Sequence, residues 1–347
     1  MTSAATGAKR LLSSASRILR TADPVEQLAP FIDESLHLPP GAAEYRRPHA
    51  FETHFSERTP RRLELGMTMG DPEATVLDRV GGATRAMRLI TGRNFGPQAV
   101  RWLDGRTEAL RTDHGDAWVT SGFDRDGVQE AQVTYSWGPQ TTDALARQIH
   151  DTVQAAMDAM PSLRPALTTV RCARTFGSQE VSFRVEGALR LSELRPLMDR
   201  LGLGDQHTRV VNALAFVLGA RFTLPPDTAL ISLRPTRAGM EMRLDVDLEG
   251  IPDVPANVSS LLQLQLVERP QSLAALEQWV VAMTPQSNLS PGSLSVLSVT
   301  ARPHGGPCLA LDMRPSVVTE ESTPAPAPRP STVSAAVAGR SPWDPRS

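Results

Sequence analysis

The chain has 347 residues, with 36 basic and 38 acidic side chains and 40% hydrophobic residues. This length predicts one large domain or two ordinary ones with a sizeable core, and the net charge of -2 argues against broad nucleic-acid binding. Two cysteines leave no room for a disulfide framework, and no apolar run is long enough to span a membrane, so a cytoplasmic protein is predicted.

The two ends of the chain differ from its middle. Residues 1–20 contain four basic and no acidic side chains, which is typical of an amphipathic surface helix and also of an organelle transit peptide. The Asp23-Pro24 pair predicts a second helix over residues 25–36, with Asp23 as its N-cap. Residues 1–44 are therefore predicted to be a helical segment, and the proline-rich residues 316–347 a disordered tail.

Residues 45–315 carry a loosely repeated unit, in which a strand, a tight turn and a second strand precede one or two helices. Five strand pairs are predicted at residues 50–56 with 62–69, 117–123 with 128–137, 168–175 with 179–186, 229–235 with 240–248, and 294–302 with 308–313. Helices are predicted at residues 74–91, 97–110, 142–160, 191–201, 207–218, 256–267 and 273–283.

Short turns join the strands of each pair, so the pairs are antiparallel. Ten such strands in one sheet would hide their edges by closing into a barrel. The amphipathic helices would then cover its outer face. The predicted fold class is α+β, a ten-stranded antiparallel barrel built from five ββα(α) repeats and ringed by helices. Two separate α+β domains are the alternative.

Alternation along the strands separates an apolar face from a polar one. Leu63, Leu65 and Met67 share one face, whereas Glu180 and Ser182 share the other. If the apolar face meets the helices, the polar face lines a charged chamber with room for a ligand. An open sheet with solvated polar residues would give the same pattern.

This architecture resembles the ABBA or PT-barrel aromatic prenyltransferases, in particular their indole and cyanobactin branches. Residues 50–56 read Ala-Phe-Glu-Thr-His-Phe-Ser, where the family has a short stretch whose glutamate faces the aromatic acceptor. The resemblance assigns that place to Glu52 and the place of a diphosphate-binding arginine to Arg62. It covers about residues 48–315, including the closing strands at residues 294–315, and rests on architecture.

The chain departs from the family in its aromatic and basic residues. The indole enzymes use a ring of tyrosines and lysine–tyrosine pairs, but this chain has only Tyr45 and Tyr135 and no lysine after Lys9. Arginine binds phosphate well and stays charged, so it can replace lysine. Trp118 or Trp137 could supply part of the aromatic wall, although strand alternation favours the outer face for Trp137.

The resemblance implies electrophilic substitution of an aromatic acceptor by an allylic diphosphate. Glu52 would orient the acceptor and take its proton, with His54 sharing proton transfer. Arginines would neutralise the departing diphosphate. The residues expected to bind diphosphate or substrate are Arg62, Gln132, Thr134, Arg184, Arg243, Asp245 and Trp118.

The implied partners are dimethylallyl or geranyl diphosphate and an aromatic acceptor, with no nucleic acid or membrane partner, in a monomer or homodimer. No cofactor is required. The predicted lumen holds many acids, so a diphosphate would need either Mg²⁺ on the carboxylates or arginines gathered at one rim with the acids at the other. Two other hypotheses are a barrel that acts on or binds an isoprenoid, aromatic molecule or peptide without diphosphate chemistry, and a two-domain structural or interaction protein.

Overall fold

A computed structural model describes residues 3–36, 51–69, 75–110, 115–138, 141, 145, 147–175, 177–285 and 292–319. Tyr45, the start of the helix predicted at residues 142–160 and the part of the predicted tail after residue 319 lie outside this part of the chain. The first residues of that predicted disordered tail, 316–319, instead form a short helix, with Ser316 buried and Val317 packed against the core. None of the described helices is both long and apolar enough to cross a membrane.

Twelve strands form in the described part of the chain. They are β1 (Glu52–Ser56), β2 (Leu63–Thr68), β3 (Ala117–Asp124), β4 (Gly127–Ser136), β5 (Leu163–Ala173), β6 (Gly177–Val185), β7 (Leu189–Arg190), β8 (Thr223–Leu224), β9 (Ala229–Thr236), β10 (Gly239–Asp247), β11 (Gly292–Ala301) and β12 (Cys308–Pro315). Ten of them close a barrel in the order β1-β12-β11-β10-β9-β6-β5-β4-β3-β2, and β7 pairs with β8 in a separate ribbon. The predicted ten-stranded antiparallel barrel is confirmed.

The described α-helices occur between the hairpins and at both ends. They are α1 (Ser3–Leu19), α2 (Val25–Ser35), α3 (Val76–Phe95), α4 (Pro97–Thr107), α5 (Arg147–Ala159), α6 (Arg195–Arg200), α7 (His207–Val217), α8 (Val258–Gln265), α9 (Pro270–Met283) and α10 (Ser316–Thr319). The helix predicted at residues 191–201 is divided, because a 3₁₀ turn precedes Pro196, which stands in the first turn of α6. Asp23 accepts a hydrogen bond of 2.9 Å from the Val25 amide at the start of α2.

Closure joins the first and last strands of the barrel. Thr53 and His54 of β1 pair with Met313 and Asp312 of β12. Since every neighbour is antiparallel, the five hairpin turns lie at one rim, here called the hairpin end. The strands continue into helices at the opposite rim, here called the helix end. A single closed sheet excludes the two-domain and open-sheet alternatives.

The hydrophobic core lies between the outer face of the barrel and the helices. Leu63, Leu65 and Met67 of β2 are buried, as predicted for the apolar face. Phe55 of β1 contacts Trp279 of α9, with ring centroids 5.8 Å apart. The central chamber is therefore not filled by this core.

Close packing at the hairpin end leaves no room for a side chain at position 177. A Cβ on Gly177 would lie 2.7 Å from ring carbons of Trp102 in α4. We expect Gly177→Ala to lower the free energy of unfolding by about 1–3 kcal/mol, because the rigid indole must move. Urea unfolding followed by circular dichroism measures the loss. Gly306→Ala is the matched control, since nothing lies within 4 Å of its Cβ position; equal losses in both variants would contradict the packing argument.

Candidate active site

The polar face of the sheet encloses a chamber of about 1910 Å³ that opens to solvent. Ligand pockets usually measure about 300–1,000 Å³, so two small ligands could fit together. Every site residue predicted from the sequence borders the chamber, namely Glu52, His54, Arg62, Gln132, Thr134, Arg184, Arg243, Asp245 and Trp118.

Glu52 lies beside a glycine on the neighbouring strand. On the neighbouring strand β2, Glu52 pairs in register with Gly66, which has no side chain. Gly66 pairs in turn with Thr120 of β3, and a Cβ on Gly66 would lie 3.4 Å from the Thr120 hydroxyl. The wall therefore carries no side chain at position 66, the cross-strand neighbour of Glu52.

His54 lies between two carboxylates near the seam of the barrel. Its Nδ1 contacts Asp312 Oδ1, and its Nε2 lies 3.9 Å from Glu64 Oε2. Burial and Arg243 lower the pKa of His54, but Asp312 and Glu64 outweigh them and raise it from 6.5 to about 9. His54 is therefore an imidazolium at neutral pH, which makes it a proton donor or a fixed positive charge rather than a base.

Asp312→Asn is expected to lower the pKa of His54 by about 1–3 units, because the ring loses its main opposite charge and remains buried. The imidazolium of the unchanged protein should persist through pH 8 and lose its proton near pH 9. Histidine-selective NMR titration measures both values, with His54→Gln used to assign the signal.

Stability provides a second readout of the same contact. The pKa of His54 is raised on folding, so its contribution to stability is complete below about pH 6.5 and is lost as the pH rises through about 9. Asp227→Asn is the control, because Asp227 lies near the exposed Arg184. A His54 pKa that is the same in the Asp312→Asn variant would contradict the assigned contact.

Arg243 is held by two acids inside the chamber. Its Nε lies 2.9 Å and 3.0 Å from the carboxylate oxygens of Asp245, and its Nη2 lies 3.1 Å from Glu180. Burial raises the pKa of Glu180, but Arg243, Arg171 and Arg234 outweigh it and hold that pKa below its usual value. Burial raises the pKa of Asp245 above its usual value, against the pull of Arg243.

Two more carboxylates each connect a pair of arginines near the hairpin end. Glu241 accepts hydrogen bonds from Arg58, at 2.8 Å and 2.9 Å, and from Arg234. Glu130 lies 2.6 Å from Arg171 and 3.7 Å from Arg62. Arg58 stands in a turn, where strand alternation gives no signal, so the sequence did not indicate that it borders the chamber.

The three arginines predicted to bind diphosphate form ion pairs with different acids. Arg62 pairs with Glu64 as well as Glu130, and Arg243 lies between Asp245 and Glu180. Arg184 lies near the helix end with its side chain 64% exposed. The described contacts therefore do not gather these three residues into one cluster.

The lining changes character along the barrel axis. Arginines concentrate near the hairpin end, where the chamber is bordered by Arg58, Arg62, Arg171, Arg174, Arg234, Arg237 and Arg302. Apolar side chains concentrate near the helix end, where it is bordered by Trp118, Trp137, Leu167, Leu230 and Val296. Acids lie among these arginines, since Glu241 pairs with Arg58 and Arg234 and Glu130 pairs with Arg171 near the hairpin end. The expected separation of arginines at one rim from acids at the other is therefore not seen.

Trp137 lies at the edge of the aromatic wall. It borders the chamber and also packs against the hydrophobic core, because β4 ends at Ser136 and its alternation does not continue. Tyr135 faces the helices, with its hydroxyl 2.8 Å from that of Thr84. Within the described ranges, no group of three or more histidine, cysteine or acidic side chains is arranged to hold a metal ion.

Solved structures share this arrangement of barrel and helices. The 6-dimethylallyltryptophan synthase from Micromonospora olivasterospora, solved with DMASPP and Trp, is 14% identical with a TM-score of 0.71, over 91% of this chain and 98% of that one. PriB with product diphosphate is 14% identical with a TM-score of 0.67, over 91% and 97%. AnaPT from Neosartorya fischeri is 10% identical with a TM-score of 0.60, over 87% and 91%.

The fold is therefore that of the ABBA or PT-barrel aromatic prenyltransferases, and the resemblance seen in the sequence is confirmed at the level of the fold. Neither a family model nor a curated protein sequence matches the chain. At identities of 10–14% the shared feature is the fold, and function has to be argued from the site.

Proposed function

We propose that the protein is an aromatic prenyltransferase that transfers an allylic isoprenoid from its diphosphate to an aromatic acceptor inside the chamber. The observation that carries this proposal is the closed barrel around a large polar chamber, with arginines near one end and apolar side chains near the other. An allylic diphosphate has the same polarity, since its anionic head is joined to an apolar chain.

The donor's orientation follows from this distribution. The diphosphate would lie toward the hairpin end, where guanidiniums stabilise the charge that develops as the carbon–oxygen bond breaks. The diphosphate leaves with the bonding electron pair. The allylic cation would lie toward the helix end, near Trp118 and Trp137, whose ring faces stabilise positive charge.

Glu52 is the proposed base. Glu52 and Gly66 both border the chamber, so an acceptor N–H or O–H held there can approach this part of the wall. An aromatic ring carbon attacks the allylic cation, and the proton lost from the acceptor is transferred to Glu52. His54, two residues along the same face, contributes positive charge at neutral pH.

The direct test incubates the purified chain with dimethylallyl or geranyl diphosphate and an aromatic acceptor such as L-tryptophan or a simple phenol. Diphosphate release and a product heavier by one prenyl group are expected. Reactions without acceptor are the control, because they separate transfer from hydrolysis. Absence of diphosphate release with every donor and acceptor combination would contradict the proposal.

The ion pairs of the chamber favour a second candidate, a barrel that binds an isoprenoid, an aromatic molecule or a peptide without diphosphate chemistry. Arg243 and Arg234 are already neutralised by carboxylates, so a diphosphate would have to compete with them. Geraniol and geranyl diphosphate distinguish the candidates in a thermal-shift titration. Preference for the diphosphate supports the transferase, and preference for the alcohol supports the second candidate.

Turnover is expected to remain within about twofold after treatment with EDTA, because guanidiniums supply the positive charge that Mg²⁺ would otherwise bring. Diphosphate release measured with and without added Mg²⁺ checks this. Loss of activity in EDTA that Mg²⁺ restores would instead place the ion on the carboxylates and phosphate oxygens. We also propose that the protein acts in the cytoplasm, as a monomer or homodimer.

A further inference from the structure

The turns at the hairpin end of the barrel carry a ring of arginines. Each of the five turns that join the paired strands contains at least one arginine, and four of these side chains also border the chamber. The ring therefore frames the chamber at the hairpin end. It is here called the arginine rim and consists of Arg58, Arg61, Arg125, Arg174, Arg237 and Arg302.

Acidic residues in the same turns do not balance the arginine rim. Two acids, Glu57 and Asp126, lie in these turns. The Glu57 carboxylate is 3% exposed and lies 2.7 Å from the Arg269 guanidinium, so an arginine outside the rim already neutralises it. The whole chain has a net charge of -2, and positive charge is nevertheless concentrated in these turns.

Most of the arginine rim has no opposite charge beside it. Arg58 pairs with Glu241, and Arg125 lies 3.6 Å from Asp126. Arg174 donates to a neutral group, the Asp126 carbonyl oxygen, at 2.7 Å. Across the described residues, no carboxylate forms an ion pair with the other four members of the rim, which are Arg61, Arg174, Arg237 and Arg302. These guanidiniums are therefore available to acidic groups from outside the chain.

The spacing of the turns matches a polypeptide better than a single small anion. Neighbouring turns of this barrel are two strands apart, and tilted strands about 4.8 Å apart place such turns about 10–12 Å from each other. Side chains three residues apart along an extended or polyproline II segment are about 9–10 Å apart. Acids at that spacing can reach successive turns, whereas one phosphate or carboxylate group is too small to bridge two of them.

Two other kinds of partner match this surface less well. A membrane-binding surface combines basic with apolar side chains, but none of the large exposed hydrophobic side chains among the described residues lies in a hairpin turn. Nucleic-acid binding uses a dense basic patch on a strongly basic domain. This chain is slightly acidic overall, and its turns hold the arginines apart.

We infer that the arginine rim is a docking surface for an acidic polypeptide segment of a partner protein, which lies across the chamber at the hairpin end. A single exposed ion pair is weak, so affinity comes from several pairs formed together at matching spacing. Arg174 and Arg237 stand on neighbouring hairpins, β5–β6 and β9–β10, and can bind successive acids of one segment. The inference concerns the end of the barrel and does not depend on prenyl transfer.

Fluorescence anisotropy of a labelled synthetic peptide, titrated with the full chain, tests the docking surface. The peptide has glutamate at every third position, with glycine and serine between. Combining Arg61→Gln, Arg174→Gln and Arg237→Gln is expected to weaken its binding by about 5–50-fold, because three ion pairs are lost. The same peptide with glutamine in place of glutamate should not bind. A peptide with its glutamates in one uninterrupted run should bind several-fold more weakly, because its charges reach fewer turns.

The matched control combines Arg164→Gln, Arg184→Gln and Arg190→Gln. It removes the same charge from β5, β6 and β7 near the helix end, and its affinity for the spaced peptide should stay within about twofold of the unchanged protein. Thermal unfolding verifies that each variant is folded. Arg237→Gln alone, expected to weaken binding by about 2–5-fold, tests the surface even if the triple rim variant does not fold.

Selective weakening in the rim variants upholds the docking surface. No binding of the spaced peptide to the unchanged protein at low salt, or equal weakening in the rim and control variants, overturns the inference. Tighter binding of a single-stranded oligonucleotide or of anionic phospholipid vesicles than of the spaced peptide would overturn it as well. Donor and acceptor are absent from these titrations, so their outcome is independent of the proposed transferase activity.

Discussion

Glu52→Gln is expected to lower turnover by about 10²–10⁴-fold, because the chamber loses the carboxylate proposed to accept the acceptor's proton. Glutamine has nearly the same shape and can still form hydrogen bonds, so the strand and its pairing with Gly66 should persist. Diphosphate release at saturating donor and acceptor measures the effect, and circular dichroism confirms the fold.

Ser56→Ala provides the matched control for this variant. Ser56 lies on β1 with Glu52 and also borders the chamber, but it has no proposed role in proton transfer. We expect its turnover to stay within a few-fold of the unchanged protein. Near-normal turnover of Glu52→Gln would remove Glu52 from the mechanism without affecting the proposed donor site.

Arg243→Met is expected to lower the free energy of unfolding by about 1–3 kcal/mol. Asp245 and Glu180 would both lose the guanidinium between them, and the cost is below that of a fully buried pair because the Arg243 side chain is 32% exposed to the chamber. Urea unfolding at pH 7 measures the loss. It should be smaller at pH 5, because one of the two acids can then bind a proton and relieve the repulsion.

Arg195→Met is the control for this loss. Arg195 pairs with Asp199 one helical turn away on the exposed face of α6, where such a pair contributes about 0.3–0.5 kcal/mol. A loss for Arg243→Met no larger than that of the control would mean that solvent in the chamber screens the network. The ion pairs would then contribute little to the free energy of unfolding of the barrel.

Strand alternation predicted most of the barrel wall. The five hairpins appear where tight turns separate runs of period two, and the polar faces of β6 and β10 point inward as expected. Alternation did not settle Trp137, which borders the chamber and also packs against the core, because the regular strand ends at Ser136. It was also incomplete for β5, which begins at Leu163 rather than residue 168 and contains an irregularity between Pro165 and Leu167.

The candidate site was predicted residue by residue but not as a network. Alternation placed Arg243 inward, and only the structure shows it bound by Glu180 of another strand. Arg58 and Glu241 lie 183 positions apart in the chain and form two hydrogen bonds. No local pattern connects residues so distant in sequence.

The amino-acid sequence by itself determined the local order of strands, turns and helices and the polarity of each strand face, because these depend on residue spacings within a few positions. Only the tertiary structure decided which inward charges meet and which polar atoms stay unpaired. Those contacts depend on how ten strands are staggered around a closed barrel, and that stagger is set by pairing between distant segments such as β1 and β12.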